Sequence, residues 1–304
     1  MDDNQKKWTG RIVFLVVILL ITLYVLIWSG TIRCRVIPGG CSIYWGIQTL
    51  VTGKNQPSIL ILYDPSDNNA MGNPELLKSI LSDRKIIGAT VNMGNINYLS
   101  PDQLENTSLV IVDKARRIST LQLLTFIDYV SQGGRLIWIG DAGIEKARDD
   151  KYFDGNKDFY PYNNGWVRVT ENNTLLKFNE FIGVNHITNF CDIKNCGPTV
   201  MTGKLIPQGK NPLVFGLNPN LQIYDNYSIV RIIDQKSPVP LKIDYSTNLF
   251  DDNQNSYGSV FPGIVTTNSN RVAYYALPPE YLVEENDKEK YISVISNMFD
   301  GMVN

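Results

Sequence analysis

The sequence predicts an α/β domain, a doubly wound and mostly parallel sheet with helices on both faces, carried behind one N-terminal transmembrane helix. Three observations predict it. Residues 12–32 contain no charged side chain. Short, near-continuous apolar runs follow at 58–63 (SILILY), 109–112 (LVIV) and 136–139 (LIWI), the texture of strands buried on both faces. Helix-capping signals stand between those runs, as the alternation of strand and helix in a parallel sheet requires.

The first element begins at Ile12 and ends at Ile32 (IVFLVVILLITLYVLIWSGTI). At about 1.5 Å per residue, a helix of this length covers the roughly 30 Å hydrocarbon core of a bilayer. Trp8 and Trp28 stand where aromatic anchors meet the two interfaces. A cleaved signal peptide would have a shorter apolar run and a small-residue cleavage site, for which Ser29-Gly30 is a weak match. Lys6, Lys7 and Arg11 precede the run and Arg33 and Arg35 follow it, so the charge bias is slight. Paired cysteines and acceptor sequons at Asn106, Asn172 and Asn226 favour an external domain. The expectation is a single-pass protein of the cell membrane, with a cytoplasmic stub and helix over 1–32 and the C-terminal domain outside.

Residues 33–56 read as a juxtamembrane connector, with a turn at Pro38-Gly39-Gly40 and an apolar, aromatic piece over 42–51 that suits a short helix or strand. The α/β domain is expected over 57–147 and 266–304. Its first strand is 58–63, closed by Asp64-Pro65. Asn73-Pro74 supplies an N-cap and an N1 proline for a helix to about 81. A second strand is expected over 85–91. Ser100, Pro101 and Gln103 form a capping-box pattern before the third strand, 109–112. Ser119 and Gln122 form another, opening a helix to about 132 whose apolar face is read as Leu121, Leu124, Phe126, Ile127 and Val130. Gly133-Gly134 ends that helix, and 136–139 is the fourth strand.

Residues 148–265 are rich in Asn, Asp, Tyr, Gly and Pro and read as a β-rich insertion, with strand-like pieces at 166–169, 213–215, 229–233 and 241–243. The end returns to the first texture. Residues 272–276 (VAYYA) form a strand expected to join the same sheet, and a helix is expected over 287–302.

The run SLVIVDKARRISTLQLLTFIDYVSQGGRLIWIGDAG, with the later RVAYYALPPEYL, resembles the class I glutamine amidotransferase-like superfamily. Within it the chain is most similar to the non-enzymatic branch found in gliding-motility and transporter-auxiliary proteins and in a non-catalytic oligosaccharyltransferase subunit. The resemblance covers 57–146 and 271–302 and implies a flavodoxin/amidotransferase-like sheet. Active members place a cysteine in a G-x-C-x-G elbow between strand and helix, with a later histidine as partner. Here the turn reads Gly140-Asp141-Ala142-Gly143, with no cysteine within forty residues. The resemblance therefore implies the fold and argues against amidase chemistry.

With 28 basic and 30 acidic residues and a net charge of −2, the chain has no basic stripe, and no nucleic-acid partner is expected. The four cysteines form close pairs, Cys34/Cys41 and Cys191/Cys196, at spacings that match zinc sites poorly. Two local disulfides are the simpler reading, free buried thiols the other. His186, the only histidine, lies five residues before Cys191. A Cys–His nucleophile pair can be drawn, but FCDIKNC reads better as a disulfide-closed loop, and a thiol held in a disulfide attacks nothing.

Asp154, Asn156 and Asp158 have the D-x-N-x-D spacing that opens many calcium loops. Phe159 stands where such a loop needs glycine and Gly165 where it needs glutamate, so a solvated polar loop is the plainer reading. Asp64, Ser66 and Asp67 follow the first strand and Asp141 ends the fourth, where open α/β sheets bind ligands. No base is visible for Ser66, and Asp and Ser after a strand commonly make turns. Arg116-Arg117 reads as a solvated loop. No dinucleotide, P-loop, serine-hydrolase or zinc-protease motif is present, and no cofactor is expected.

Tyr152, Phe153, Phe159, Tyr160, Tyr162 and Trp166 crowd into fifteen residues, either as a core for the insertion or as rings that stack on sugars. These readings predict a membrane-anchored, non-catalytic ectodomain with a protein partner, an accessory or scaffolding subunit of an envelope complex. The other reading is a surface glycan-binding module or glycan-acting enzyme.

Overall fold

The computed structural model describes residues 3–28, 40–52, 57–82, 89–147, 150, 165–170, 174–283, 295, 297–299 and 301–302. They fall into two compact units, 1–56 with 83–89, and 57–82 with 90–304.

The first unit consists of α1 (Asp3–Trp28) and α2 (Gly40–Thr52). Along α1 the apolar side chains face outward, Leu15 being 64% and Leu19 67% exposed. The apolar piece of the connector forms α2, held to α1 where the Tyr24 hydroxyl donates to Gln48 Oε1 (2.6 Å) and the Tyr24 and Tyr44 rings stack at 5.5 Å. Side chains of α1 are described at Trp8 and over 11–26. Among the described residues, no helix is long and apolar enough to cross a membrane. The predicted 12–32 span is thus represented only by a helix that ends at Trp28, and 29–32 lie outside the described residues.

In the second unit the apolar runs become strands as their composition requires. β1 is Ser58–Tyr63. α3 (Pro74–Leu81) follows, with Asn73 Oδ1 accepting from the Leu76 amide at 3.1 Å and Pro74 in the first turn, as predicted. β2 is Thr90–Asn95, which overlaps the predicted 85–91 at Thr90 and Val91, while 85–88 lie outside the described residues. Its register comes from pairing with β1, Ser58 opposite Thr90. As an edge strand it is only half covered, so TVNMGN has no apolar signature. α4 (Asp102–Glu105) is a single turn. Only half of its predicted capping box exists, for Gln103 Oε1 accepts from the Ser100 amide (3.4 Å) while Pro101 takes the cap position with no side-chain bond.

β3 (Leu109–Val112) and the short β4 (Arg117–Ile118) precede α5 (Thr120–Ser131), whose Ser119/Gln122 capping box is complete. The buried face of α5 is Leu123, Phe126, Tyr129 and Val130, and Leu121 points out, 63% exposed. The predicted face was thus turned by part of a helical turn. β5 (Arg135–Ile139) and β6 (Glu145–Lys146) follow, β6 pairing with β4.

Past residue 164 come β7 (Val167–Val169), β8 (Leu175–Lys177), α6 (Phe178–Ile182), β9 (Val184–Asn189), α7 (Phe190–Ile193), β10 (Gly203–Pro207), β11 (Leu221–Ile223), β12 (Ser228–Ile232), β13 (Leu241–Phe250), β14 (Ser256–Thr267) and β15 (Val272–Tyr275). The predicted strand at 213–215 is instead a 3₁₀ turn, Pro212–Val214, started by Asn211 Oδ1 accepting from the Leu213 amide (2.9 Å). Pro212 preorganises that turn and has no amide to give a ladder.

One nine-stranded sheet runs β11-β10-β13-β14-β15-β5-β3-β1-β2. The stretch from β2 to β15 is parallel, and the ladders from β15 to β11 are antiparallel. The β-rich stretch therefore extends the central sheet, with β9–β12 and β7–β8 as separate two-stranded pieces. β15 joins the sheet as expected, at its middle. Of the last predicted helix, 295, 297–299 and 301–302 are helical, and 287–294 lie outside the described residues. The Tyr275 hydroxyl donates to Met298 O (2.8 Å), and Phe299 stacks on Tyr275 at 6.0 Å, seating that end on the sheet. From β1 the chain places β2 on one side and β3 on the other, which makes the carboxyl ends of β1 and β3 the switch point of the sheet.

Candidate functional site

An acidic residue follows each of four neighbouring parallel strands. Asp64 comes directly after β1, Asp113 directly after β3, Asp141 two residues past β5, and Glu280 five residues past β15. All four are buried. Two backbone bonds tie the switch point, from the Asp64 amide to Lys114 O and from the Asp113 amide to Leu62 O, each 3.0 Å.

Asp64 is closed within its own turn. Its Oδ1 accepts from the Ser66 amide (2.9 Å), the Ser66 hydroxyl (2.6 Å) and Asn97 Nδ2 (3.2 Å). Ser66 gives its proton to a turn-forming carboxylate, which is the turn reading of this pair. Asp67 Oδ1 accepts from the Asn69 amide (3.2 Å) in a second turn of the same kind.

Asp141 occupies the elbow after β5, between Gly140 (φ +58°) and Gly143 (φ +70°). Its carboxylate accepts from the Met71 amide (3.2 Å) and Asn189 Nδ2 (3.4 Å) and lies 3.5 Å from Arg116 Nε. Burial pushes it up from the usual 3.8 to about 6, against the opposing pull of Arg116. Arg116 and Arg117 are therefore not a solvated loop, for both also pair with Glu145, at 3.1 and 3.3 Å. The elbow is stitched from outside as well, since the indole N–H groups of Trp138 and Trp166 both donate to Ala142 O (2.8 and 2.7 Å).

Asp113 and Glu280 were not singled out by the sequence, although Asp113 ends LVIV just as Asp64 ends SILILY. Their carboxyl groups act on each other and are wholly buried, and among the described residues both Asp113 oxygens and Glu280 Oε2 lack a hydrogen-bond donor. Burial raises both, Asp113 well above the usual range and Glu280 to about 7, and the neighbouring Glu280 carboxyl raises Asp113 further. Glu280 Oε1 also accepts from the Asn73 amide (2.7 Å), and the Tyr281 hydroxyl accepts from the Gly72 amide (2.7 Å). A side chain at Gly72 (φ +122°) would collide with the Asp113 carboxyl. The pair thus clamps the 71–73 loop to the 3₁₀ turn Pro279–Leu282.

Arg168, also unforeseen, is buried and reaches the carbonyls of Ile118 (2.6 Å), Gly143 (3.2 Å) and Glu145 (3.3 Å), with Asp150 Oδ2 at 3.1 Å. Burial lowers its guanidinium to about 10 despite Asp150. It ties together the segments that leave β3 and β5.

Cys191 and Cys196 form a disulfide, as expected, with Cα atoms 5.3 Å apart. His186 Nε2 meets Asn189 Oδ1 (3.1 Å), its ring stands edge-on to Trp166, and burial lowers its pKa. No Cys–His nucleophile pair exists there. Cys34 lies outside the described residues, and with it the expected bridge to Cys41. Asp154, Asn156, Asp158, Asn172 and the aromatics Tyr152, Phe153, Phe159, Tyr160 and Tyr162 also lie outside them, while Trp166 is buried. Asn106 is exposed, and Asn226 is half-buried with Oδ1 accepting from the Cys191 amide (3.0 Å). Among the described residues, no group of three or more His, Cys, Asp or Glu side chains is placed to hold a metal ion.

No family model matches the sequence, and no curated protein does. Solved structures do share the fold. A ThuA-like protein from Bacteroides uniformis superposes with a TM-score of 0.52 at 13% identity, over 81% of this chain and 91% of that one. A cold-adapted β-galactosidase from Rahnella sp. R3 gives 0.50 at 12% identity, over 86% of this chain and 33% of that one. A β-galactosidase from Bacillus circulans sp. alkalophilus gives 0.50 at 11% identity, over 80% and 30%. The chain spans about a third of each galactosidase. At such identities the likeness is one of fold, and it includes the class I glutamine amidotransferase-like fold of the ThuA-like neighbour.

Proposed function

We propose that this chain is a membrane-anchored, non-catalytic ectodomain, an accessory or scaffolding subunit of a cell-envelope complex that works through protein contact. The observation that carries this reading is the state of the strand-end crevice. Asp64 is closed in its turn, Asp141 is held by Arg116 and Asn189, and Asp113 with Glu280 is wholly buried. No elbow cysteine stands anywhere in the sheet region, and active members of the resembled superfamily need one as nucleophile. Carboxylates held this way brace loops, which suits the non-enzymatic branch of that superfamily and leaves the outer surface as the working part.

Two observations support the membrane placement. The run from Ile12 to Ile32 is uncharged, and the apolar side chains described along α1 face outward, as lipid contact requires. The Cys191–Cys196 disulfide fits an oxidising exterior and supports the outside reading of the C-terminal domain.

The test is a mild-detergent pull-down of the native full-length protein with mass spectrometry of what co-purifies. A stoichiometric membrane partner is expected. A clean monomer would overturn the reading.

A further inference from the structure

We propose that the groove between β12 and the first half of β14 is the docking surface for an extended segment of a partner protein in which apolar side chains alternate with carboxylates. This rests on the accessory reading and names the surface it would use.

The groove is a cavity of about 590 Å³ walled by Ile187, Ile229, Ile232, Val239, Val260 and Phe261. Ile187 and Val260 are 41% and 50% exposed, so two large apolar side chains of one groove are left open by the described residues. Among the described residues, both lining strands also have an edge without a ladder. There β14 pairs with β13 from Ser256 to Ile264 and meets β15 only from Ile264 onward, and β12 has a ladder with β9 alone. Such edges present backbone donors and acceptors to an incoming strand, and an apolar wall accepts every second side chain of it.

Charge selects the occupant. Arg231 and Lys242 line the groove, and among the described residues no carboxylate lines it with them. Neither cation forms an ion pair among the described residues. A segment bearing carboxylates between its apolar residues complements both the wall and the two cations.

The test uses the full-length protein in its native membrane with a benzoylphenylalanine photo-crosslinker at position 260, and at position 121, exposed on α5, as the control. The crosslinked segment is sequenced by mass spectrometry, synthesised and titrated by fluorescence anisotropy against the purified full-length protein. The expected result is an adduct from 260 and not 121, through a segment of alternating apolar and acidic residues. Its affinity should fall about tenfold or more in the Arg231→Glu, Lys242→Glu double variant, with the melting temperature unchanged. The proposal is overturned by no adduct at 260, by an adduct to lipid or to a second copy, by a segment without carboxylates, or by an affinity the charge reversal does not move. A stoichiometric pull-down partner alongside any of these leaves the accessory reading standing and removes only the groove.

Discussion

At the scale of single residues, the strand-end carboxylates tune stability through protons. Glu280 is raised from its usual 4.5 to about 7, so the folded state binds the proton more tightly than the unfolded chain. The stability it contributes is complete below pH 4.5 and is lost as pH rises through about 7. Asp141, raised from 3.8 to about 6, has the same sign. His186 has the opposite sign, since its lowered pKa favours folding of the neutral ring and that gain fades in acid. Glu280→Gln keeps an acceptor for the Asn73 amide and removes the titration. The melting temperature of this variant should vary less between pH 4.5 and 7 than that of the parent, and parallel curves would refute the upward shift of Glu280. Arg168 is the other decisive side chain. Arg168→Leu removes the buried ion pair with Asp150 and the guanidinium bonds to the Ile118, Gly143 and Glu145 carbonyls, and should cost about 3–5 kcal/mol in urea unfolding.

At the scale of elements, α5 shows how capping and packing divide the work. Its capping box is local chemistry, and Ser119→Ala should cost about 1 kcal/mol. Its rotation about its own axis is set by the sheet beneath it. Apolar residues spread around the helix leave more than one face open, and the fold buries Leu123 while Leu121 stays in solvent. Leu123→Ala should therefore cost about 2–5 kcal/mol and Leu121→Ala no more than about 0.5 kcal/mol, both read from denaturant midpoints. Equal costs would contradict the observed face.

At the scale of the whole molecule, residues 57–82 and 90–304 make one compact unit with a continuous nine-stranded sheet. A fragment beginning at Pro57 should fold alone and melt in one cooperative transition, with calorimetric and van't Hoff enthalpies in agreement. A fragment that binds hydrophobic dyes and melts without a transition would show that the N-terminal unit is part of the fold.

Much of this protein was legible along the chain, because it depends on neighbours in sequence. SILILY, LVIV and LIWI are strands since only a two-faced sheet hides such runs, and Asn73-Pro74 and Ser119/Gln122 start helices through bonds spanning three residues. The late VAYY strand and the Cys191–Cys196 loop were readable for the same reason. Tertiary structure alone decided the rest. β2 is polar and takes its place from its pairing with β1, and the β-rich stretch enters the central sheet by ladders between distant segments. The buried carboxyl pair of Asp113 and Glu280 brings together residues 167 positions apart, and the ring of bonds around Arg168 joins β7 to the ends of β4 and β6. Sequence determines what each segment must hide or cap, while the meeting of remote groups in a water-free interior depends on how the whole chain closes.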